Sequence, residues 1–120
     1  MPKEIFSIPS LQFRVLRTED GGVEWQGTYD GMKVVAVALL EDDKKCLILL
    51  DLAATRKSRF ENLICIDAIG QVLWKGQLPQ SADAFVSIQI SDGLYANSWS
   101  GYRVRLDPAT GVILEQQFVK

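Results

Sequence analysis

Residues 71–76 read QVLWKG, residues 22–27 read GVEWQG and residues 111–116 read GVILEQ. Nearly the same six-residue phrase is written three times in 120 residues. Val23, Trp25, Gly27 and Tyr29 align with Val72, Trp74, Gly76 and Leu78, and these with Val112, Leu114, Gln116 and Phe118. The residues between them are mostly polar. Apolar and polar positions alternate with a period of two, as on a half-buried β-strand. The copies recur after 49 and 40 residues, and repeats of that length hold a four-stranded sheet each.

Working outward, each copy follows a turn and an earlier strand. Residues 106–111 read LDPATG and 66–70 read IDAIG. An Asp followed by Gly makes a tight reversal, because the carboxylate takes nearby backbone N–H groups and Gly accepts positive φ. The first copy has RTEDGG at 17–22, turn-like but without Asp at the matching place. The alternation predicts four strands at 85–91, 93–99, 101–107 and 111–118, with hairpin signals at Asp92-Gly93 and Ser100-Gly101. Four more fall at 33–40, 45–52, 62–66 and 71–78, and three at 3–8, 11–17 and 23–29. Residues 62–66 are apolar nearly throughout and are expected to be covered on both faces. Glu41, Asp42 and Asp43 form a hairpin tip that serves solubility, and residues 53–60 have room for one helical turn.

Composition narrows the function classes. Hydrophobic residues are 48% and charged residues 23%, within the range of one soluble domain. A net charge of −2 gives no reason to expect nucleic acid or an anionic membrane as partner. The start, MPKEIFSIPS, shows no apolar run behind a basic one, so no secretory signal is expected. Cys46 and Cys65 lie in apolar runs without CxxC spacing and are expected buried and reduced, which fits the cytoplasm. There is no histidine, which removes Ser-His-Asp and Cys-His nucleophiles and histidine metal sites together. No glycine-rich phosphate loop matches, and repeat symmetry explains Asp67 and Asp107 as turn-formers.

The succession of strand, Asp-to-Gly turn and V-x-W strand in CIDAIGQVLWKG and VRLDPATGVILEQ resembles the PQQ-like repeat of quinoprotein-type β-propellers. The chain also resembles short single-domain bacterial proteins of unknown function that end in such a blade. The resemblance is good over 33–120 and weak over 1–29. It implies an all-β fold: antiparallel sheets arranged as two propeller-like four-stranded blades, 31–80 and 81–120, with a partial third over 1–30, all in one domain. With fewer than three blades, the chain is an incomplete propeller or a compact sandwich, with a homodimer as one way to cover open faces. No cofactor is expected, because PQQ needs a full ring and a calcium site. Trp25 and Trp74 are therefore assigned to packing between sheets.

Strand alternation places Tyr95, Asn97 and Trp99 in one row, followed after a turn by Tyr102 and Arg103. These residue types stack on and hydrogen-bond a ligand or a protein partner. Packing within the sheet is the alternative reading of the same row. Arg56, Lys57 and Arg59 are a basic cluster suited to a phosphate or an acidic surface, or simply a solvated loop. The expected function is a non-enzymatic protein–protein interaction module, of the immunity or antitoxin kind. The alternative is a sugar or nucleotide binder, or a degenerate enzyme, using the aromatic and polar strand face.

Overall fold

The computed structural model describes residues 3–40, 44–51, 61–80 and 82–119. It contains three antiparallel sheets, and among the described residues no α-helix. The first sheet is β1 (Lys3–Ile8), β2 (Phe13–Arg17) and β3 (Val23–Gly27). The second is β4 (Val34–Leu40), β5 (Lys45–Leu50), β6 (Leu63–Asp67) and β7 (Val72–Lys75). The third is β8 (Phe85–Ile90), β9 (Leu94–Ser98), β10 (Tyr102–Leu106) and β11 (Ile113–Phe118). Every sheet is an up-and-down meander in which neighbours in sequence are neighbours in space. The predicted division into three, four and four strands is therefore observed. The single helical turn considered at 53–60, the acidic tip at 41–43 and residue 52 lie outside the described residues.

The sheets stack face to face, with the second in the middle. Cys46, Ile48, Leu50, Ile64 and Ile66 pack against Phe6, Phe13 and Val15 of the first sheet. Leu47, Leu49, Leu63, Cys65 and Trp74 pack against Phe85, Leu94, Val104 and Leu106 of the third. Strand alternation sends successive side chains to opposite cores, which is why β5 and β6 can be apolar almost throughout. The two thiols fall on opposite faces of the same sheet, and no disulfide joins them.

The turns that close the repeats are built as expected. Asp67 Oδ1 accepts the N–H groups of Ile69 (3.1 Å) and Gln71 (2.9 Å), and Asp107 Oδ1 accepts that of Ala109 (2.9 Å). Gly70 and Gly111 follow with φ of +86° and +75°, in the left-handed region where glycine carries no steric penalty. In the degenerate first copy Thr18 stands where the Asp stands elsewhere. Its N–H bonds Gly22 O at 2.9 Å, and its hydroxyl bonds the Asp20 carboxylate.

Three details differ from the sequence reading. Strand β7 ends at Lys75 rather than at residue 78, because the chain turns toward the third sheet, where Gln77 N donates to Gly111 O (2.8 Å) and Ile113 N to Gln77 Oε1 (2.8 Å). Strand β2 starts at Phe13, after a 3-10 turn at Pro9–Leu11 and Gln12 at φ 54°. The turn after β10 is one residue longer than the turn after β6, since Asp67 N donates to Gln71 O and Asp107 N to Val112 O, and this shifts the register of the repeated phrase. Val72 pairs with Ile66 and Trp74 with Cys65, with a bulge between, and Ile113 pairs with Leu106 and Glu115 with Arg105 across an equivalent bulge. By pairing, Trp74 corresponds to Glu115 and not to Leu114. The first sheet has no such bulge between β2 and β3. A bulge inserts a residue and reverses which side chains face inward, and composition alone does not mark it.

Candidate functional site

The candidate row lies on the outer face of the third sheet. Tyr95, Asn97, Arg103 and Arg105 share that face, because Arg103 pairs with Asn97 and Arg105 with Tyr95 across β9 and β10. Glu115 and Gln117 extend it onto β11, opposite Arg105 and Arg103. The Arg103 guanidinium sits over the Tyr95 ring, 4.8 Å from its centroid, a cation–π contact. Tyr95 Oη donates to Asp92 Oδ1 at 3.0 Å. That bond, then the one from Ser91, holds the Asp92 carboxyl below the usual carboxylate range, and it pushes the Tyr95 phenol up. Asn97 Nδ2 donates to Ser87 Oγ on β8 at 3.0 Å, and Arg105 lies 3.8 Å from Glu115. Between β10 and β11 these side chains border an open depression of about 350 Å³ lined by Tyr95, Arg103, Arg105, Glu115 and Gln117. Trp99, just past β9, is 63% exposed.

Tyr102 does not belong to this face. It is adjacent to Arg103 on the same strand and so points the other way. It packs against the inner core and meets Phe118 edge-on, with ring centroids 5.3 Å apart. Arg56, Lys57 and Arg59 lie outside the described residues. Trp74 is 7% exposed, and its Nε1 donates to Pro108 O (3.0 Å) in the turn of the following sheet, so it is a packing residue as expected. Trp25 packs, half-buried, against the first core.

The polarity of the outer face has a structural origin. Five of its residues stand where the second sheet has an apolar one facing its neighbour. Tyr95 replaces Leu47, Asn97 replaces Leu49, Arg103 replaces Leu63, Arg105 replaces Cys65 and Glu115 replaces Trp74. The opposite end of the stack is also polar. Arg14 on the first sheet bonds Gln26 (2.8 Å) and Glu4 (3.4 Å) across the outer face. End sheets of a stack need such a face to stay soluble.

Two buried polar centres were not legible in the sequence. Asn62 is fully buried, and its amide donates to Leu50 O (2.8 Å) and Phe85 O (2.7 Å) while its oxygen accepts Phe85 N–H (2.8 Å). One side chain thus acts as a peptide group and joins the second sheet to the third. Asp83 is buried beside the hairpin that follows β9. Its Oδ2 accepts Ser100 Oγ at 2.6 Å and its Oδ1 accepts Ala84 N (2.9 Å) and Ser100 N (3.1 Å). Ser98 Oγ stands 3.0 Å from Ser100 Oγ and accepts Tyr102 N–H at 3.2 Å. The sequence shows no base near these serines. The carboxylate that does reach Ser100 is also bonded to two backbone N–H groups, so it latches the hairpin. Among the described residues every buried side-chain nitrogen and oxygen has a partner, and none group in threes or more as a metal-binding cluster.

A family model described as a domain of unknown function, DUF7957, matches residues 32–118. The chain belongs to that family. No curated protein and no solved structure matches it. The DUF7957 match takes in the second and third sheets, the latch and the whole outer face, and leaves the first sheet outside. Its boundary falls where the internal repeat becomes degenerate. No helix among the described residues is long and apolar enough to cross a membrane.

Proposed function

We propose that this DUF7957 protein is a non-enzymatic interaction module that holds a protein partner against the outer face of its third sheet. The observation that carries this is a pre-ordered surface, with an exposed Trp on the same hairpin. Tyr95 is held by Asp92, Asn97 by Ser87 and Arg103 by the Tyr95 ring, and Trp99, one residue past the end of β9, is exposed. Side chains already fixed lose little freedom on association, and Trp, Tyr and Arg are the residues that most often anchor interfaces. An open, shallow surface suits a protein better than a small substrate. A partner of this kind masks another protein, as immunity proteins and antitoxins do. Buried, unlinked thiols fit a reducing cytoplasm.

The same reading extends to the fold. The sheets are two propeller-type blades and a partial third, stacked as a compact sandwich and not as part of a ring. Polar residues on both outer faces support this, since a ring would press apolar faces there. The resemblance to PQQ-like blades rests on the Asp-to-Gly turns and on Trp74 docked against the next turn.

Affinity capture from native lysate tests the function. Tagged wild-type protein is expected to retain one protein in stoichiometric amount. Trp99→Ala and Arg103→Ala are expected to lose it while keeping the wild-type unfolding midpoint. Retention of nothing by the wild type, or equal retention by both variants, refutes the proposal. The depression beside Tyr95 and Arg103 favours one alternative, a sugar or nucleotide ligand. A thermal-shift gain with such a compound, abolished by Arg103→Ala, identifies it.

A further inference from the structure

Among the described residues, strand β11 pairs only with β10, which leaves it a free edge. Val119 N donates to Gly101 O (2.9 Å), so its N–H points toward β10. Antiparallel ladders alternate with a period of two, so Gln117 also faces β10, while Gln116 and Phe118 turn their N–H and C=O groups to the open edge. The edge is apolar as well as unpaired. Leu114, Phe118 and Val119 are each more than half exposed, and Glu115 is the only charge on the strand. Soluble proteins usually protect such an edge with proline, lysine or an inward charge.

We propose that β11 pairs antiparallel with β11 of a second copy, with Gln116 on the two-fold axis. Only one register suits the sequence ILEQQF. Centring on Gln116 sets Leu114 against Phe118 of the second copy twice, Gln116 against Gln116 and Glu115 against Gln117. Centring on Glu115 places two carboxylates directly opposite, which is destabilising. Centring on Gln117 sets Phe118 against Gln116 and leaves Leu114 bare. The contact is isologous, so it closes at two copies instead of growing into a fibre. The other strands in the same place in their sheets are less available. Strand β7 has four residues and its continuation is already bonded to residues 111–113, and β3 carries Glu24 and Gln26. The product is one eight-stranded sheet in which two outer faces become continuous.

Sedimentation velocity of the full chain is expected to give twice the 13.4 kDa chain mass. Gln116→Pro removes only an N–H that points to the open edge. It is expected to give a single-chain mass with the wild-type far-UV spectrum. Gln116→Cys is expected to be joined between chains by a short bis-maleimide, while Ser87→Cys, at the far edge of the sheet, is not. The native thiols are buried and do not interfere. A wild-type chain that sediments at single mass across the concentration range overturns the proposal. So does a dimer that survives Gln116→Pro and leaves Gln116→Cys unlinked. Either result leaves the reading of the outer face standing, because that reading depends on Trp99 and Arg103 and not on the edge.

Discussion

Cys46 is fully buried on the middle sheet, and burial, aided by Cys65 nearby, pushes its thiol from 9.0 up to about 12. In the unfolded chain the thiol ionises near its ordinary value. In the folded chain it stays protonated up to about 12. Its contribution to stability is therefore complete below pH 9 and is lost as pH rises toward 12. The slope is about 1.4 kcal/mol per pH unit for one group. Urea midpoints are expected to fall between pH 9 and pH 11 more steeply in the wild type than in Cys46→Ala. Parallel curves would show that the thiol does not titrate on unfolding. The two cysteines were legible as small buried hydrophobes. That they face opposite cores was not, because it depends on the offset between β5 and β6, where Cys46 pairs with Ile66 and Leu47 with Cys65.

At the scale of elements, the joint between the second and third sheets rests on Trp74 and the turn at residues 107–111. A Cβ at Gly111 would overlap the Trp74 ring, and φ there is +75°. Gly111→Ala therefore meets two penalties, a strained backbone and a clash with a buried indole. It is expected to cost on the order of 2–3 kcal/mol. Trp74→Phe loses the hydrogen bond to Pro108 and some volume, and is expected to cost roughly 1–2 kcal/mol. Both are measured by urea unfolding, and a Gly111→Ala protein as stable as wild type would refute this account of the joint. The strands themselves were nearly all legible, because alternation and Asp-to-Gly turns are local signals. The bulges were not. They follow from how β6 meets β7 and β10 meets β11. The extra residue in the turn after Asp107 gave no signal either, and it sets the third copy of the phrase one residue off, with Glu115 and not Leu114 in the place of Trp74.

For the whole molecule, polarity decides where stacking stops. Tyr95, Asn97, Arg103, Arg105 and Glu115 occupy the places that pack against a neighbour in the second sheet. Arg103→Leu combined with Arg105→Leu restores part of an apolar interlayer face. That variant is expected to associate beyond any defined oligomer, with light scattering that rises with concentration at a wild-type level of secondary structure. An unchanged scattering profile would show that the outer face does not limit stacking. The candidate row was half legible. Period-two alternation grouped Tyr95 with Asn97 and pointed at Arg103, but it could not show that Tyr102 turns inward toward Phe118. Asn62 and Asp83 gave no signal, since Asn62 bonds residues 12 and 23 positions away and Asp83 reaches Ser100 across 17.

The middle sheet belongs to two cores at once, and this has a consequence for biosynthesis. The chain emerges from its N-terminal end, so the first and second sheets can join while the third is still inside the ribosome. Throughout that interval Leu47, Leu49, Leu63 and Trp74 form an oily wall with nothing against it. Until β8–β11 arrive, the nascent protein presents to the cell the kind of surface that chaperones recognise, and the third sheet ends that exposure.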